Sequence, residues 1–222
     1  DIHTYLGNAP SQIKGTGVDF VQKGNGRALW HAGQDITTHN AVFFDWNNAQ
    51  QDSSSISLLA GHNITLGGVM VGSTQEYPTS DPSAKNEFRI ETAKNDTILL
   101  KTHTGYIRTN ALVNIERTND KVALTKLWAG CEKYSTDNNI DIEHVFNYTE
   151  TSPAPNNAGG MVHLYAENDI LSNVNPDGCD DRTAPITFTS GSNFKTRTLW
   201  EAERNINTRS RVEFKYGEST VM

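Results

Sequence analysis

Short runs of alternating polar and apolar residues recur along almost the whole chain, whereas the 3.6-residue period of an amphipathic helix is nearly absent. In the run 212–216, Val212, Phe214 and Tyr216 alternate with Glu213 and Lys215. Such alternation places one class of side chain on each face of a β-strand. The chain is therefore predicted to be all-β. Further strands are predicted at 18–21, 42–46, 55–59, 63–66, 88–91, 97–102, 113–117, 121–127, 140–147, 161–165 and 183–188.

Clusters of Gly, Pro, Asn, Asp and Ser separate these runs, for example at 153–160 and 175–178. Many short strands with turns between them are typical of a β-sandwich, a barrel or a β-prism-like stack. No repeat with a fixed period of roughly 20–50 residues is visible, which disfavours a propeller or a solenoid. Pro78 and Pro82 suggest a boundary within 76–86. We therefore predict an N-terminal shaft-like β segment at 1–75 and a C-terminal β domain at 76–222.

The composition limits both the core and the partners. Only 36% of the 222 residues are hydrophobic, against roughly 45–50% in an average domain, so we expect a thin core or one shared between copies of the chain. The net charge of −7 argues against binding to nucleic acid or to anionic membrane surfaces. No apolar run reaches the roughly 18 residues that span a bilayer, so no membrane insertion is predicted. The start, Asp1-Ile2-His3, carries neither an initiator Met nor a signal-peptide core, which suggests a fragment or a processed product.

The segment 193–216 differs from the acidic remainder, because it holds six Lys or Arg residues and three Glu residues. A basic segment on an acidic chain suggests an interface with neighbouring subunits. A solvated strand face is the alternative. Within it, 198–204 is expected to form one or two helical turns, since its Glu residues can pair with Arg204.

Metal sites and cofactors are not predicted. The seven histidines are scattered singly, without the spacing of a zinc motif. Cys131 and Cys179 are expected to be two buried free thiols, with a single disulfide as the alternative. The acidic turn 175–181 is interpreted as a turn capped by Asn and Asp side chains, with a Ca²⁺ site as the alternative.

Catalytic signatures are absent as well, because no GxSxG elbow and no phosphate-binding loop occurs. Paired carboxylates could still serve glycoside cleavage. The candidates are Asp141 with Glu143, Glu167 with Asp169, and Asp180 with Asp181. The chain is predicted not to be an enzyme.

Binding is better supported than catalysis, since flat aromatic rings lie near hydrogen-bonding side chains in the central part of the chain. Such groups suit a carbohydrate surface. The candidate receptor- or glycan-binding residues are Tyr134, Tyr148, Asn156, Asn157 and Tyr165. The four tryptophans, Trp30, Trp46, Trp128 and Trp200, are expected to anchor the packing.

The segment 24–34 contains Trp30-His31-Ala32-Gly33 followed by Gln34. It resembles the Trp-His-x-Gly-Asn segments that recur in bacteriophage tail-fibre proteins, with Gln34 in place of the usual Asn. The resemblance implies an elongated homotrimeric fibre domain whose three copies intertwine or stack. It also implies an extracellular place in the virion tail fibre, beside other tail-fibre proteins, and attachment to a host surface polysaccharide or outer-membrane protein.

Two alternatives remain. One is a secreted carbohydrate-binding lectin, glycosylated at sequons such as those of Asn63 and Asn147. The other is a tail-associated polysaccharide depolymerase, against which the length counts because such enzymes usually need a long β-helix.

Overall fold

A computed structural model describes the residues 2–6, 12–14, 20–23, 27–38, 42–46, 55–66, 88–93, 97–110, 112–118, 124–131, 137–143, 145–151, 160–172, 186–190, 196–209, 211–215 and 220–221. All regular elements in these ranges are β-strands, so the all-β prediction is confirmed. The strands form three sheets, which we name A, B and C.

Sheet A contains β1 (Ile2–Leu6), β4 (Arg27–Ala32), β7 (Ser55–Ala60), β10 (Thr97–Thr102), β13 (Leu124–Ala129), β16 (Met161–Ala166), β19 (Arg197–Ala202) and β22 (Thr220–Val221). Sheet B contains β2 (Gln12–Lys14), β5 (Asp35–Thr38), β8 (Ile64–Leu66), β11 (Ile107–Thr109), β14 (Ile140–Ile142), β17 (Asp169–Ser172) and β20 (Asn205–Thr208). Sheet C contains β3 (Phe20–Lys23), β6 (Val42–Trp46), β9 (Phe88–Ala93), β12 (Val113–Thr118), β15 (Phe146–Thr151), β18 (Ile186–Ser190) and β21 (Val212–Lys215).

Successive strands enter the three sheets in turn, and each strand pairs in parallel with the strand three places further along the chain. Three strands therefore make one coil, and stacked coils make a parallel β-solenoid. A solenoid was disfavoured from the sequence, and that prediction is wrong. The described strands also do not form a clear β-sandwich or β-prism-like stack, since the three sheets are parallel throughout.

The coils differ in length, so the repeat has no fixed period in the sequence. One inward position of sheet B is isoleucine in every coil from β5 onward, and neighbouring copies of it are 28 to 43 residues apart. The residues at this position are Ile36, Ile64, Ile107, Ile140 and Ile170, which are buried, and Ile206 in the last coil, which is exposed. Hydrogen-bond register, rather than sequence period, keeps these side chains in one column.

The core lies between the three sheets and is covered by successive coils of the same chain. Phe44 and Phe88 meet edge to face, with ring centroids 6.3 Å apart, and both are fully buried. Beyond the coil that contains Val113, Phe146 and Phe188 lie with their centroids 6.0 Å apart. Because alternate residues face inward, a modest hydrophobic fraction suffices to fill this interior. The expected sharing of the core between copies is thus not needed by the described residues.

A short motif repeats where sheet A turns into sheet B. It reads Leu or Trp, any residue, Ala, two further residues, Asp or Asn, and Ile, and it occurs at 30–36, 58–64, 164–170 and 200–206. The Trp-His-x-Gly segment is one copy of it. Successive corners stack so closely that a Cβ on Gly61 would overlap the carbonyl oxygen of Gly33. Glycine is therefore required at that place.

Two local predictions are wrong. The alternating run 140–147 is not one strand but β14 and β15, which lie in different sheets and are separated by a corner. The segment 198–204 forms most of β19 and the corner after it instead of helical turns. The division near 76–86 stays a prediction, because those residues lie outside the described ones, while β7 and β10 on either side of it pair directly.

Candidate functional site

The outer face of sheet A carries the largest group of half-exposed apolar and aromatic side chains in the described structure. Its outward residues in β10, β13, β16 and β19 are Leu99, Lys101, Leu124, Lys126, Trp128, Met161, His163, Tyr165, Leu199 and Glu201, with Thr97 and Arg197 at the margin. Surface clusters of apolar and aromatic side chains rimmed by polar residues often mark binding sites. This face is therefore the candidate site.

Register places four of these side chains in one column. Lys101 is paired with Trp128, Trp128 with Tyr165, and Tyr165 with Glu201. The rings of Trp128 and Tyr165 form a tilted pair with centroids 4.8 Å apart. We call these two residues the aromatic pair.

Two lysines lie at one end of the aromatic pair. The Nζ atom of Lys126 lies 3.6 Å from the centroid of the Trp128 ring, and that of Lys101 lies 5.4 Å from it. Both ammonium groups are thus within the range of a cation–π contact. Burial lowers the pKa of Lys126, and the nearby charge of Lys101 lowers it further, while Glu201 opposes the shift.

Carboxylates lie at the other end. His163 Nε2 is 2.7 Å from Glu201 Oε2, and the Tyr165 hydroxyl donates to Glu203 Oε1 at 3.2 Å. Burial raises the pKa of Tyr165, and the negative charge of Glu203 adds to this. The column therefore runs from a cationic end, over two aromatic rings, to an anionic end.

The orientation of Trp128 is fixed by its own corner. Its indole Nε1 donates to the carbonyl oxygen of Gly130 at 2.7 Å. Gly130 has a φ of 91°, which favours glycine, and a Cβ there would meet the side chain of Asn138. Side chains held on paired strands in this way form a more rigid surface than side chains on loops.

The structure places the predicted binding residues in different environments. Tyr165 lies in the aromatic pair, whereas Tyr134, Asn156 and Asn157 lie outside the described residues. Tyr148 is a core residue, because its exposure is 0% and its hydroxyl donates to Glu150 Oε2 at 3.3 Å. Its ring faces inward with Phe146, so it offers no surface to a ligand.

Tyr148 belongs to a polar cluster inside the solenoid. Glu150 accepts hydrogen bonds from Gly160 N and Thr196 Oγ1, both at 2.9 Å. Arg117 is the register partner of Glu150, is also buried, and donates to Thr125 Oγ1 at 2.6 Å. Burial raises the pKa of Tyr148 far above its ordinary value. The enclosed position makes this cluster a structural feature.

Trp128 was missed as a site residue because tryptophans were assigned to packing. That assignment holds for Trp30, which is 6% exposed, and is wrong for Trp128, which faces outward. The alternation in β13 was the available signal, since an inward Leu127 requires an outward Trp128. Trp200 is half-buried and packs against Phe188, with ring centroids 6.1 Å apart.

The proposed carboxylate pairs are engaged in structural contacts. Arg108 binds both Asp141 Oδ2, at 2.8 Å from Nη2, and Glu143 Oε1, at 3.3 Å from Nε. Asp169 pairs with Arg204 at 2.6 Å, and Glu167 accepts from Asn138 Nδ2 at 2.7 Å. Asp180 and Asp181 lie outside the described residues, as does the rest of the turn at 175–181.

The described ranges contain no group of three or more His, Cys, Asp or Glu residues that could hold a metal ion. In the same part of the chain no helix is long and apolar enough to cross a membrane. Cys131 is a free thiol but is exposed rather than buried, and Cys179 is not among the described residues.

Comparisons with protein-family models, with curated proteins and with solved structures found no match to this chain. The candidate site therefore rests on the geometry of the outer face of sheet A.

Proposed function

We propose that this chain is a bacteriophage tail-fibre component that attaches the virion to its host by binding a surface polysaccharide through the aromatic pair. The observation that carries the proposal is the column Lys101, Trp128, Tyr165 and Glu201, in which two aromatic rings lie between hydrogen-bonding groups. The resemblance of residues 30–33 to tail-fibre segments supports the viral setting.

Sugar rings have C–H faces that pack on aromatic rings and hydroxyls that need polar partners. The aromatic pair supplies the first requirement. Glu201, which is half-exposed, and Glu203 are acceptors for hydroxyl groups at one end, and the lysines are donors at the other. The column follows the axis along which coils stack, so an extended glycan chain can contact several strands at once.

The proposal includes a homotrimer. A solenoid is an elongated unit, and toward the N-terminus the outer face of sheet A carries the half-buried side chains of Leu29, Leu59 and Leu99, with Ser57 and His31 between them. Leucine side chains at a surface suit contact with neighbouring copies. A solution mass three times that of the chain would support the trimer, and a monomer would contradict it.

A depolymerase is a second candidate, and the solenoid architecture favours it. Release of new reducing ends from a bound polysaccharide would establish it. The lectin alternative is less favoured because the sequon amides are occupied. Asn63 Nδ2 donates to Asp35 Oδ1 at 3.0 Å, and Asn147 Nδ2 donates to Asn114 Oδ1 at 2.9 Å.

The test compares binding of the full chain and its variants to purified surface polysaccharides of candidate hosts. We expect Trp128→Ala and Tyr165→Ala each to weaken binding about tenfold or more, since each removes one ring of the platform. Tyr106→Ala is the matched control, because Tyr106 is half-buried just before β11, away from the outer face of sheet A, and contacts Arg108. Wild-type affinity in both sheet A variants, or no polysaccharide bound by the wild-type chain, would refute the proposal.

A further inference from the structure

Lys101 and Lys126 bring two positive charges to one aromatic ring from neighbouring strands. Their Nζ atoms lie 5.4 Å and 3.6 Å from the centroid of Trp128. Lys101 is on β10 and Lys126 on β13, and both are half-buried on the outer face of sheet A. Like charges held this close repel each other unless an anion lies between or above them.

The described side chains supply that anion only in part. Arg89 on sheet C, Arg108 on sheet B and Arg204 at the corner after β19 each have a carboxylate partner, Glu116, Asp141 and Asp169 respectively. Neither lysine forms an ion pair with a described carboxylate. The charge of Glu201 acts on Lys126, but Glu201 is bound to His163, and burial together with Lys101 still lowers the pKa of Lys126.

We propose that the polysaccharide bound at the aromatic pair is acidic and places a sugar carboxylate against Lys101 and Lys126. The inference rests on the proposed function and specifies its ligand class, a glycan containing uronic or sialic acid. The carboxylate would accept hydrogen bonds from the two ammonium groups while the sugar ring packs beside Trp128 and Tyr165.

The opposite end of the column sets the direction of the ligand. Lys101 and Glu201 are separated by three strand spacings, roughly 14 Å. Glu201 and Glu203 repel a carboxylate, so the acidic group is directed to the lysine end and the hydroxyl groups to the glutamates. The site therefore distinguishes the two directions of a glycan chain.

The experiment measures binding of the full chain to a panel of bacterial polysaccharides that contain uronic or sialic acid. Each is tested beside its own carboxyl-reduced, neutral form. We expect the acidic form to bind at least about tenfold more tightly, with a preference that shrinks as salt screens the lysines. Lys101→Met combined with Lys126→Met should remove the preference, so that the acidic and the neutral form bind within about twofold of each other.

Lys215→Met is the matched control, since Lys215 is exposed on sheet C and should leave the preference unchanged. Equal binding of acidic and neutral forms would overturn the inference while leaving polysaccharide binding in place. A preference that survives the double substitution would also overturn it. Failure to bind any polysaccharide, acidic or neutral, would overturn both this inference and the proposed function.

Discussion

Asn63 donates two hydrogen bonds to one oxygen of Asp35, from its backbone N–H and from its side-chain Nδ2, each 3.0 Å long. The two residues hold the same corner position in successive coils. Asn63 Oδ1 then accepts from the backbone N–H of Tyr106 in the following coil, at 3.1 Å. The same relationship joins Asp169 to Asn205 near the C-terminus. Stacked Asp and Asn side chains thus bind one coil to the next.

We expect Asp35→Ala to lower the free energy of unfolding by about 1–3 kcal/mol, because both donors of Asn63 lose a charged acceptor. Asp35→Asn keeps one acceptor oxygen and should cost less. Urea denaturation followed by circular dichroism measures both values. An alanine variant as stable as the wild type would contradict the role of this hydrogen-bond ladder.

We expect Gly61→Ala to destabilise the fold by more than about 2 kcal/mol, since the added Cβ would overlap the carbonyl oxygen of Gly33. The corner can accept the methyl group only if neighbouring coils separate. Ser57→Ala, on the outer face of the adjacent strand, is the control and should change stability by less than about 0.5 kcal/mol. Thermal unfolding of the two variants gives the comparison, and equal midpoints would count against close stacking at this corner.

Truncation of Trp30 should lower the free energy of unfolding much more than truncation of Trp128. Trp30→Ala removes a ring that is 6% exposed, so we expect a loss of about 3–5 kcal/mol. Trp128→Ala removes an outward ring and should cost less than about 1 kcal/mol, while weakening the polysaccharide binding proposed above about tenfold or more. Chemical denaturation distinguishes the two, and a large stability loss at Trp128 would place that side chain in the packing after all.

Arg117 and Glu150 are buried register partners, and their charges should be coupled although no ion pair joins them among the described contacts. Arg117→Met leaves Glu150 without this neighbouring positive charge, and we expect a loss of about 1–3 kcal/mol. The double variant with Glu150→Met should lose less than the sum of the single changes. Arg89→Met, in an exposed ion pair, is the control and should cost less than about 1 kcal/mol. Additive losses at Arg117 and Glu150 would show that the two charges do not interact.

The burial of Tyr148 predicts that the stability of the fold depends on pH in the alkaline range. Below the ordinary tyrosine pKa of 10.0, the folded and unfolded states both keep the phenolic proton. Above it the unfolded chain releases the proton and the folded chain retains it, because burial raises the pKa of Tyr148. Stability therefore falls as the pH rises.

The stability of the wild type relative to Tyr148→Phe isolates this effect, since the phenylalanine variant has no proton to lose there. The free energy of unfolding of the wild type should fall relative to that of the phenylalanine variant between about pH 9 and pH 11. The fall should be up to roughly 1.4 kcal/mol for each pH unit above the ordinary pKa. A difference that stays constant over this range would show that Tyr148 ionises as freely in the folded chain as in the unfolded one.

Local alternation predicted most strands, because the two-residue side-chain period of a strand appears in the sequence as alternating polar and apolar residues. The strands Val42–Trp46 and Thr97–Thr102 were predicted with the bounds that the structure gives them. Alternation failed at 140–147, where polar and apolar residues continue to alternate through a corner between β14 and β15. A pattern of faces does not reveal where the chain changes sheets.

The candidate site was predicted only in part for a related reason. Tyr165 was chosen as an aromatic residue near amide side chains, and the same criterion selected Tyr148, whose position in β15 faces the core. Residue type favours a function, but the face of the strand decides whether the side chain reaches a ligand. Trp128 was assigned to packing because it is a tryptophan, although the alternation in β13 places its side chain on the outer face of sheet A.

The sequence by itself determined that the chain forms short strands with one apolar face, since this depends on neighbouring residues alone. Only the tertiary structure decided that Lys101, Trp128, Tyr165 and Glu201 share one column. These residues are separated by connections of unequal length, and their alignment is set by hydrogen-bond register between strands far apart in the chain. Parallel pairing of distant strands, which no local pattern encodes, creates both the solenoid and the column of outward side chains on it.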